Sequence, residues 1–318
     1  MDKLSRRVAF ATLLAVGLGF GAWDLGAQAP QPAAPAAAQP FAAGPPLKQQ
    51  PNVKTYGGFR FAESISYDAA RDLYVAVNAG IAQDVIPNDG YISLVNPDGT
   101  AHTLKWIGVN RNGLTLNHPL GSDIINGMLY VVDIDTVRWF DMTTGEPRGN
   151  IPVAGVTRFN DLEVAADGTI YATQTGTTDP TSWRVYKITP KGEATVLITG
   201  APLSSPNGIA FDPKGNLVVV NIGSNAVLTF SPDGKLLTTE ESTDAGNDGI
   251  VVLADGTKYV SSVRQGTIAR IRPGAKAEKI ADGIPTAASM TYDSKRHRLV
   301  IPMNDWNAIT IVELGPQK

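Results

Sequence analysis

Short alternating runs of hydrophobic and polar residues dominate the chain from about residue 60 to its end. In a representative stretch, Ile209 and Phe211 are separated by a small residue, a turn over residues 212–215 follows, and a second apolar run begins at Leu217. Alternation with a period of two on either side of a glycine-containing turn is the pattern of a β-hairpin. The chain is therefore predicted to be built from strands.

The same hairpin pattern occurs six times, and its spacing is regular. The second apolar runs begin 56, 41, 47, 41 and 41 residues apart, at Tyr74, Tyr130, Tyr171, Val218, Tyr259 and Val300. Repeats of roughly 40 to 50 residues are typical of β-propellers with four strands in each blade. Most hairpins are followed by another pair of short alternating runs, which completes four strands, a to d. The sequence predicts an all-β, six-bladed β-propeller.

The last repeat is one strand short. It supplies strands a, b and c, and then the chain ends. Residues 52–57 precede the first strand a and have no other partner in the repeat scheme. We predict that this N-terminal strand closes the last blade, because pairing there would cover an open sheet edge.

The N-terminal 50 residues have a different composition from the repeats. Basic residues precede a 16-residue apolar run from Val8 to Trp23, which is shorter than the roughly 18 to 20 residues of a membrane-spanning helix. Residues 1–29 are predicted to be an export signal, with a retained anchor as the alternative. Residues 30–50 form a Pro/Ala-rich linker, and residues 51–318 form the propeller. We expect a periplasmic or secreted protein with no stable membrane span after processing.

Composition removes several classes of function. The chain has no cysteine, which excludes disulfides, thiolate metal sites and a cysteine nucleophile. Its net charge of −3 offers no basic surface for nucleic acid. Neither a serine-hydrolase motif, nor a phosphate-binding glycine loop, nor a histidine-rich zinc motif is present. Nucleic acid is therefore not an expected partner.

The propeller fold predicts where a site would form. Strands a and b are antiparallel, so the start of each strand a and the end of each strand b lie at the same mouth of the central channel. The polar residues placed there are Glu63, Ser122, Asn160, Asp161, Asn207, Asp248 and Ser289, with Asp133, Gln174, Asn221 and Ser262 from the strand b ends. Such oxygen donors suit Ca²⁺ or Mg²⁺. The alternative is that Asn207-Gly208 and Asp248-Gly249 are turn formers.

Four motifs at blade spacing carry a family resemblance: Glu63, Arg158-Phe159-Asn160-Asp161, Pro206-Asn207-Gly208 and Asp248-Gly249. As an ordered set they resemble the SMP-30/gluconolactonase/LRE-like family, whose characterised members are metal-dependent lactonases. The chain departs from the family at Ser64-Ile65, where Gly-Pro is usual, and at Leu162, where glycine is frequent.

The resemblance implies roles for individual residues. Glu63, Asn207 and Asp248 are expected to bind one divalent cation, with Ca²⁺ the first choice and Mg²⁺, Mn²⁺ or Zn²⁺ also fitting. Asp248 is expected to act as general base as well. Arg158 and Asn160 match substrate-contacting positions, and Asp161 is grouped with them.

Two functions therefore compete at the sequence level. One is a metal-dependent hydrolase of a lactone, such as a sugar-acid lactone, or of a related ester. The other is a non-enzymatic propeller, like NHL-repeat scaffolds, that binds a ligand or protein partner on its channel face. Fold alone does not distinguish them. His118 and Asp305 also fall at this face of the predicted propeller.

Overall fold

The computed structural model describes residues 51–81, 85–108 and 114–315, which form 24 β-strands and two short 3₁₀ turns. The predicted export signal and linker lie outside these residues, and both stay predictions. The strands are β1 (Val53–Gly57), β2 (Ala62–Asp68), β3 (Leu73–Asn78), β4 (Tyr91–Val95), β5 (Ala101–Gly108), β6 (Pro119–Ile125), β7 (Met128–Asp133), β8 (Thr136–Asp141), β9 (Pro147–Pro152), β10 (Leu162–Val164), β11 (Ile170–Gln174), β12 (Arg184–Ile188), β13 (Ala194–Thr199), β14 (Pro206–Phe211), β15 (Leu217–Asn221), β16 (Ala226–Phe230), β17 (Leu236–Glu241), β18 (Asn247–Val252), β19 (Lys258–Ser262), β20 (Thr267–Ile271), β21 (Glu278–Ala281), β22 (Thr291–Asp293), β23 (Arg298–Met303) and β24 (Ala308–Glu313).

These strands make six antiparallel four-stranded sheets, which confirms the predicted six-bladed β-propeller. Blades one to five each take four consecutive strands, beginning with β2, β6, β10, β14 and β18. The 3₁₀ turns are η1 (Pro180–Ser182) and η2 (Asn304–Trp306). No helix among the described residues is long and apolar enough to cross a membrane.

The sixth blade is closed by the N-terminal strand, as predicted. Its order is β1-β24-β23-β22, and β1 pairs with β24 from Val53 opposite Val312 to Gly57 opposite Ala308. The two ends of the propeller therefore share one sheet. Pairing of β1 covers the edge of β24 that would otherwise be open.

The hydrophobic core lies between blades rather than within them. Six clusters of buried apolar side chains among the described residues each draw residues from neighbouring blades. Between blades two and three, for example, Val132 packs in one cluster with Leu162 and Ile170. A blade buries its faces only against its neighbours, so the ring is expected to unfold cooperatively.

A buried polar network supports the join between blades six and one. Asp293 is fully buried and accepts hydrogen bonds from the Tyr74 hydroxyl at 2.5 Å and from Arg298 Nε at 3.1 Å. Arg296 Nη1 donates to the same carboxylate at 3.0 Å and also pairs with the more exposed Asp72. Burial raises the pKa of Asp293, but hydrogen bonds from Tyr74 and Arg296 outweigh burial and hold that pKa below its usual value. The network therefore favours the charged carboxylate.

Candidate metal and substrate site

The first strand of each blade, strand a, is its innermost strand. The starts of these inner strands meet around one cavity of about 460 Å³ at the channel mouth. Hydrogen bonds between neighbouring inner strands fix the level at which they meet, including Ser289 N to Glu63 O at 3.1 Å and Gly121 N to Asn160 O at 2.8 Å. The cavity is lined by Glu63, Leu120, Asn160, Asn207 and Asp248 from this level, together with Phe61, His118, Thr157, Arg158, Phe159, Thr175, Gly176, Thr177, Ile222, Val263, Asn304 and Asp305. Residues far apart in sequence are thus brought together by the ring.

Glycines allow the inner strands to come this close. A Cβ atom on Gly208 would lie 2.3 Å from Asp248 O, and one on Gly249 would lie 2.7 Å from Ser289 Cα. Both glycines lie within strands β14 and β18, so the interpretation of these Asn-Gly and Asp-Gly pairs as turn formers is wrong. Their role is close backbone approach, which places Asn207 beside Asp248.

Asn207 and Asp248 form the centre of the site. Asn207 Nδ2 donates to Asp248 Oδ2 at 3.2 Å, and the two residues are only 1% and 2% exposed. The amide oxygen of Asn207 and the second carboxylate oxygen of Asp248, both Oδ1, are buried with no hydrogen-bond partner. Leaving a buried polar atom unpaired costs roughly 1 to 3 kcal/mol, and more if it is charged. Two such oxygens on neighbouring side chains fit a cation.

Glu63 brings a second carboxylate to the same cavity. It is 5% exposed, and its Oε2 accepts a hydrogen bond from Asn304 Nδ2 at 2.9 Å. Burial, opposed by this hydrogen bond and reinforced by the nearby Asp161, raises the pKa of Glu63 to about 7. Burial, followed by repulsion from Glu63 and Asp161, raises the pKa of Asp248 well above its usual value. These acids destabilise one another's charged forms when no cation lies between them.

Asp161 lies beneath the cavity rather than on its surface. Its Oδ1 accepts from Leu162 N at 2.9 Å, while Oδ2 accepts from Ile209 N at 3.3 Å and from Ser289 Oγ at 3.4 Å. Burial raises the pKa of Asp161 to about 7. The carboxylate links blades three, four and six, so its structural contacts support the floor of the site. Its predicted contact with substrate stays a prediction.

Arg158 and Asn160 are on the cavity surface, as their predicted role requires. Asn160 is half-buried and its backbone N–H bonds Thr173 O at 2.8 Å. Arg158 is exposed, and no described acidic side chain lies within ion-pair distance of its guanidinium. Its charge is therefore available to a ligand, and its five donors suit a carboxylate or clustered hydroxyls.

The polar residues at the ends of strands b have a structural role instead. Each of these side chains forms a hydrogen bond with a backbone group of the loop that leads into its own blade, and none of them lines the cavity. The pairs are Asn78 with Arg60 N, Asp133 with His118 N, Gln174 with Thr157 N, Asn221 with Ser204 N, and Ser262 with Ala245 O. The expectation that the last four join the site residues is not met, because the incoming loops occupy their hydrogen bonds.

Two further residues, His118 and Asn304, belong to the site, and the sequence motifs do not assign a role to either. His118 is 1% exposed and lines the cavity, with its ring centroid 6.3 Å from that of Phe61. Asn304 lines the cavity and contacts Glu63, although it was not among the candidates. Its position directly after strand b of the last blade was the available signal. Asp305, next to it, has its pKa raised by burial.

Comparison with known proteins identifies a family. The family model described as "SMP-30/Gluconolactonase/LRE-like region" matches residues 62–302, a span that contains the sequence-predicted site residues Glu63, Arg158, Asn160, Asp161, Asn207 and Asp248 but ends before Asn304. No curated protein sequence matches the chain significantly.

Solved structures share the fold at low identity. A gluconolactonase from Xanthomonas campestris is 21% identical, with 82% of this chain and 88% of that chain covered and a TM-score of 0.60. A putative gluconolactonase is 17% identical, with 83% and 93% covered and a TM-score of 0.61. Virginiamycin B lyase from Staphylococcus aureus is 14% identical, with 83% and 100% covered and a TM-score of 0.58. These likenesses support the propeller architecture.

Proposed function

Because the chain belongs to the SMP-30/gluconolactonase/LRE-like family, we propose that it is a metal-dependent hydrolase of a lactone or related ester. One observation carries the proposal: Asn207 and Asp248, which line the same cavity as Glu63, each have a buried oxygen, Oδ1, without a hydrogen-bond partner. A binding scaffold has no need to bury unpaired oxygens beside two acids with raised pKa values.

The donor set decides which ions fit. Carboxylate and amide oxygens are hard ligands that suit Ca²⁺ or Mg²⁺, and Mn²⁺ or Zn²⁺ also accept them. Three side chains leave coordination positions for water and substrate. A bound divalent cation would polarise the lactone carbonyl and stabilise the oxyanion that develops on it.

Asp248 is the residue placed to move the proton. Burial and neighbouring acids raise its pKa in the metal-free protein, and a bound cation would favour the ionised form that can accept a proton. Asp248 takes a proton from the attacking water as the new C–O bond forms. When the ring C–O bond breaks, the leaving alkoxide takes that proton back, so the products are a hydroxy acid and unchanged enzyme.

Arg158 and Asn160 orient the substrate in this scheme. Arg158 stands exposed at the cavity rim, where its guanidinium can hold substrate hydroxyls or the carboxylate of the product. Phe61 and Leu120 give the cavity an apolar wall and exclude water from that side. A small lactone would therefore be held between a polar and an apolar surface.

The direct test is turnover of a panel of sugar and aliphatic lactones by the purified protein, with and without chelator. We expect at least one lactone to be hydrolysed, the activity to disappear on chelation, and one of the four cations to restore it. If no lactone is hydrolysed and no cation raises the melting temperature, the NHL-like binding scaffold replaces the enzyme.

The acids also predict how cation binding depends on pH. In the metal-free protein the folded-state pKa of Glu63 is raised from 4.5 to about 7. The stability that this group contributes is therefore fully present below its unfolded pKa and is lost as pH rises through about 7. Because Glu63 is protonated at about pH 5.5 and mostly ionised at about pH 8, a cation must displace more protons at the lower pH, so Ca²⁺ should raise the melting temperature more at the higher pH. At 100 times the dissociation constant the gain is about 2.7 kcal/mol.

Thermal melts at the two pH values, with and without Ca²⁺, measure this difference. Glu63→Gln is the matched variant, because it keeps the shape of the side chain and removes the titrating group. We expect its Ca²⁺ response to be smaller and less dependent on pH. An equal Ca²⁺ response of the wild-type protein at both pH values would contradict the assignment.

A further inference from the structure

Blade six departs from the pattern that the other blades follow at the end of strand b. In blades one to five a polar side chain there bonds the loop entering the same blade. Strand b of blade six, β23, ends instead on Met303, and the next residue is Asn304. The Asn304 amide reaches across to Glu63 of blade one, 241 positions away in sequence. The break in the repeat thus occurs at the candidate metal site.

The orientation of the Asn304 amide is fixed by its second partner. Asn304 Oδ1 accepts a hydrogen bond from the backbone N–H of Asp305 at 2.7 Å, so Nδ2 must be the atom that faces Glu63. Asn304 is only 6% exposed, and its own N–H bonds Thr286 O at 3.3 Å. The amide is therefore held as a donor toward the carboxylate.

The turn that carries Asn304 is also bonded to the segment leading to Glu63. Asn307 ends η2 in the left-handed conformation, with a φ of 53°, and its Oδ1 accepts from Phe61 N at 2.7 Å. Its carbonyl oxygen accepts from Phe59 N at 3.2 Å. Phe61 lies two residues before Glu63. The same hydrogen bonds between the turn and this segment therefore position both the Asn304 amide and the Glu63 carboxylate.

Both carboxylates of the site consequently have one oxygen occupied by an amide. Asn304 Nδ2 bonds Glu63 Oε2, and Asn207 Nδ2 bonds Asp248 Oδ2. Among the described residues no donor bonds the other Glu63 oxygen, and Asp248 Oδ1 has no partner. Each acid therefore has one oxygen that is free of hydrogen bonds from the described residues.

We propose that Asn304 restricts Glu63 to one ligand oxygen and thereby sets which divalent cation the site prefers. This inference rests on the cation site of the proposed function. Ca²⁺ takes six to eight oxygens and often binds a carboxylate through both of them, whereas Mg²⁺ requires octahedral geometry with single oxygens. A glutamate held to one oxygen limits the advantage of the larger ion. Releasing the second oxygen increases that advantage. Asn304 is thus a positioning residue that acts through Glu63.

The test is the ratio of the Mg²⁺ to the Ca²⁺ dissociation constant, measured by calorimetric titration of chelator-treated protein. Asn304→Leu is nearly isosteric and removes the donor, and Asn304→Ala is a second variant without it. We expect the ratio to rise roughly fivefold or more in both, because the freed oxygen favours the ion with the higher coordination number. Asn221→Leu is the matched control, since Asn221 is an equally buried amide that bonds only backbone.

The possible outcomes distinguish failure of this proposal from failure of the proposed function. If the wild-type protein takes up none of Ca²⁺, Mg²⁺, Mn²⁺ and Zn²⁺, the cation site itself is absent and the proposed function fails. If it takes up Mn²⁺ or Zn²⁺ but neither Ca²⁺ nor Mg²⁺, the cation site stands and the proposal about Asn304 fails. If the wild-type protein binds but the ratio stays within twofold in both Asn304 variants, Asn304 does not govern selectivity. An equal change in Asn221→Leu, or failure of both Asn304 variants to fold, would likewise overturn the proposal, because Asn304 would then have only a structural role.

Discussion

Asp248→Asn is expected to lower lactone turnover by about 10²- to 10⁴-fold, the range that a positioned general base contributes. The substitution keeps an oxygen donor in place but removes the charge and the basicity. Cation affinity should fall only moderately, because Glu63 and Asn207 remain. The measurement is kcat at a cation concentration that saturates the variant.

The same substitution should not destabilise the metal-free fold. Asp248 is buried, and its charged form is disfavoured by burial and by repulsion from Glu63 and Asp161. Removing its charge relieves that repulsion, so the metal-free variant should melt no lower than the wild-type protein. Asp255→Asn, in the hairpin turn at the other end of the same blade, is the control and should retain activity. Retention of at least a tenth of wild-type kcat by Asp248→Asn would exclude it as the base.

Asp293→Ala is expected to cause the largest loss of stability, about 3 to 5 kcal/mol, because it removes the buried carboxylate partner of Arg298 and leaves that arginine only the longer, more exposed ion pair with Glu313. Asp293 is fully buried, and the Arg298 side chain is only 9% exposed. The variant also removes the partner of the Tyr74 hydroxyl across the join of blades six and one. Urea-induced unfolding measures the loss.

Asp72→Ala provides the comparison at the same join. Asp72 pairs with Arg296 and Lys295, but it lies nearer the surface, where water screens the ion pairs. We expect a clearly smaller shift in the urea midpoint than for Asp293→Ala. Equal shifts would show that burial of the Asp293 network is not what stabilises the closure of the ring.

The architecture could be predicted because its signal is local and repeated. Each hairpin shows its own alternation and turn, and six copies fix the blade number. Because the last repeat lacks a fourth strand, β1 could be predicted to pair with that repeat, and it does. Convergence of Glu63, Asn207 and Asp248 on one cavity followed from blade geometry and the family motifs.

The finer features of the site depend on contacts that no local pattern records. A Cβ atom on Gly121 would lie 2.2 Å from Asp161 Oδ1, so the burial of Asp161 reflects how closely two blades approach. Asn304 lies one position beyond the end of β23 and contacts a residue of another blade. The sequence predicts that the polar residues at the ends of strands b lie at this mouth of the channel. It does not predict that they bond the backbone of the incoming loops, because those loops have no repeated sequence.

We propose that one divalent cation, held by Glu63, Asn207 and Asp248, supports lactone hydrolysis. Titration of chelator-treated protein with Ca²⁺, with binding heat and lactone turnover recorded in parallel, tests this directly. We expect binding of one ion per chain and turnover that rises with the same dissociation constant as the heat. Turnover that persists in the metal-free protein, or Ca²⁺ binding that leaves turnover unchanged at every concentration, would contradict it.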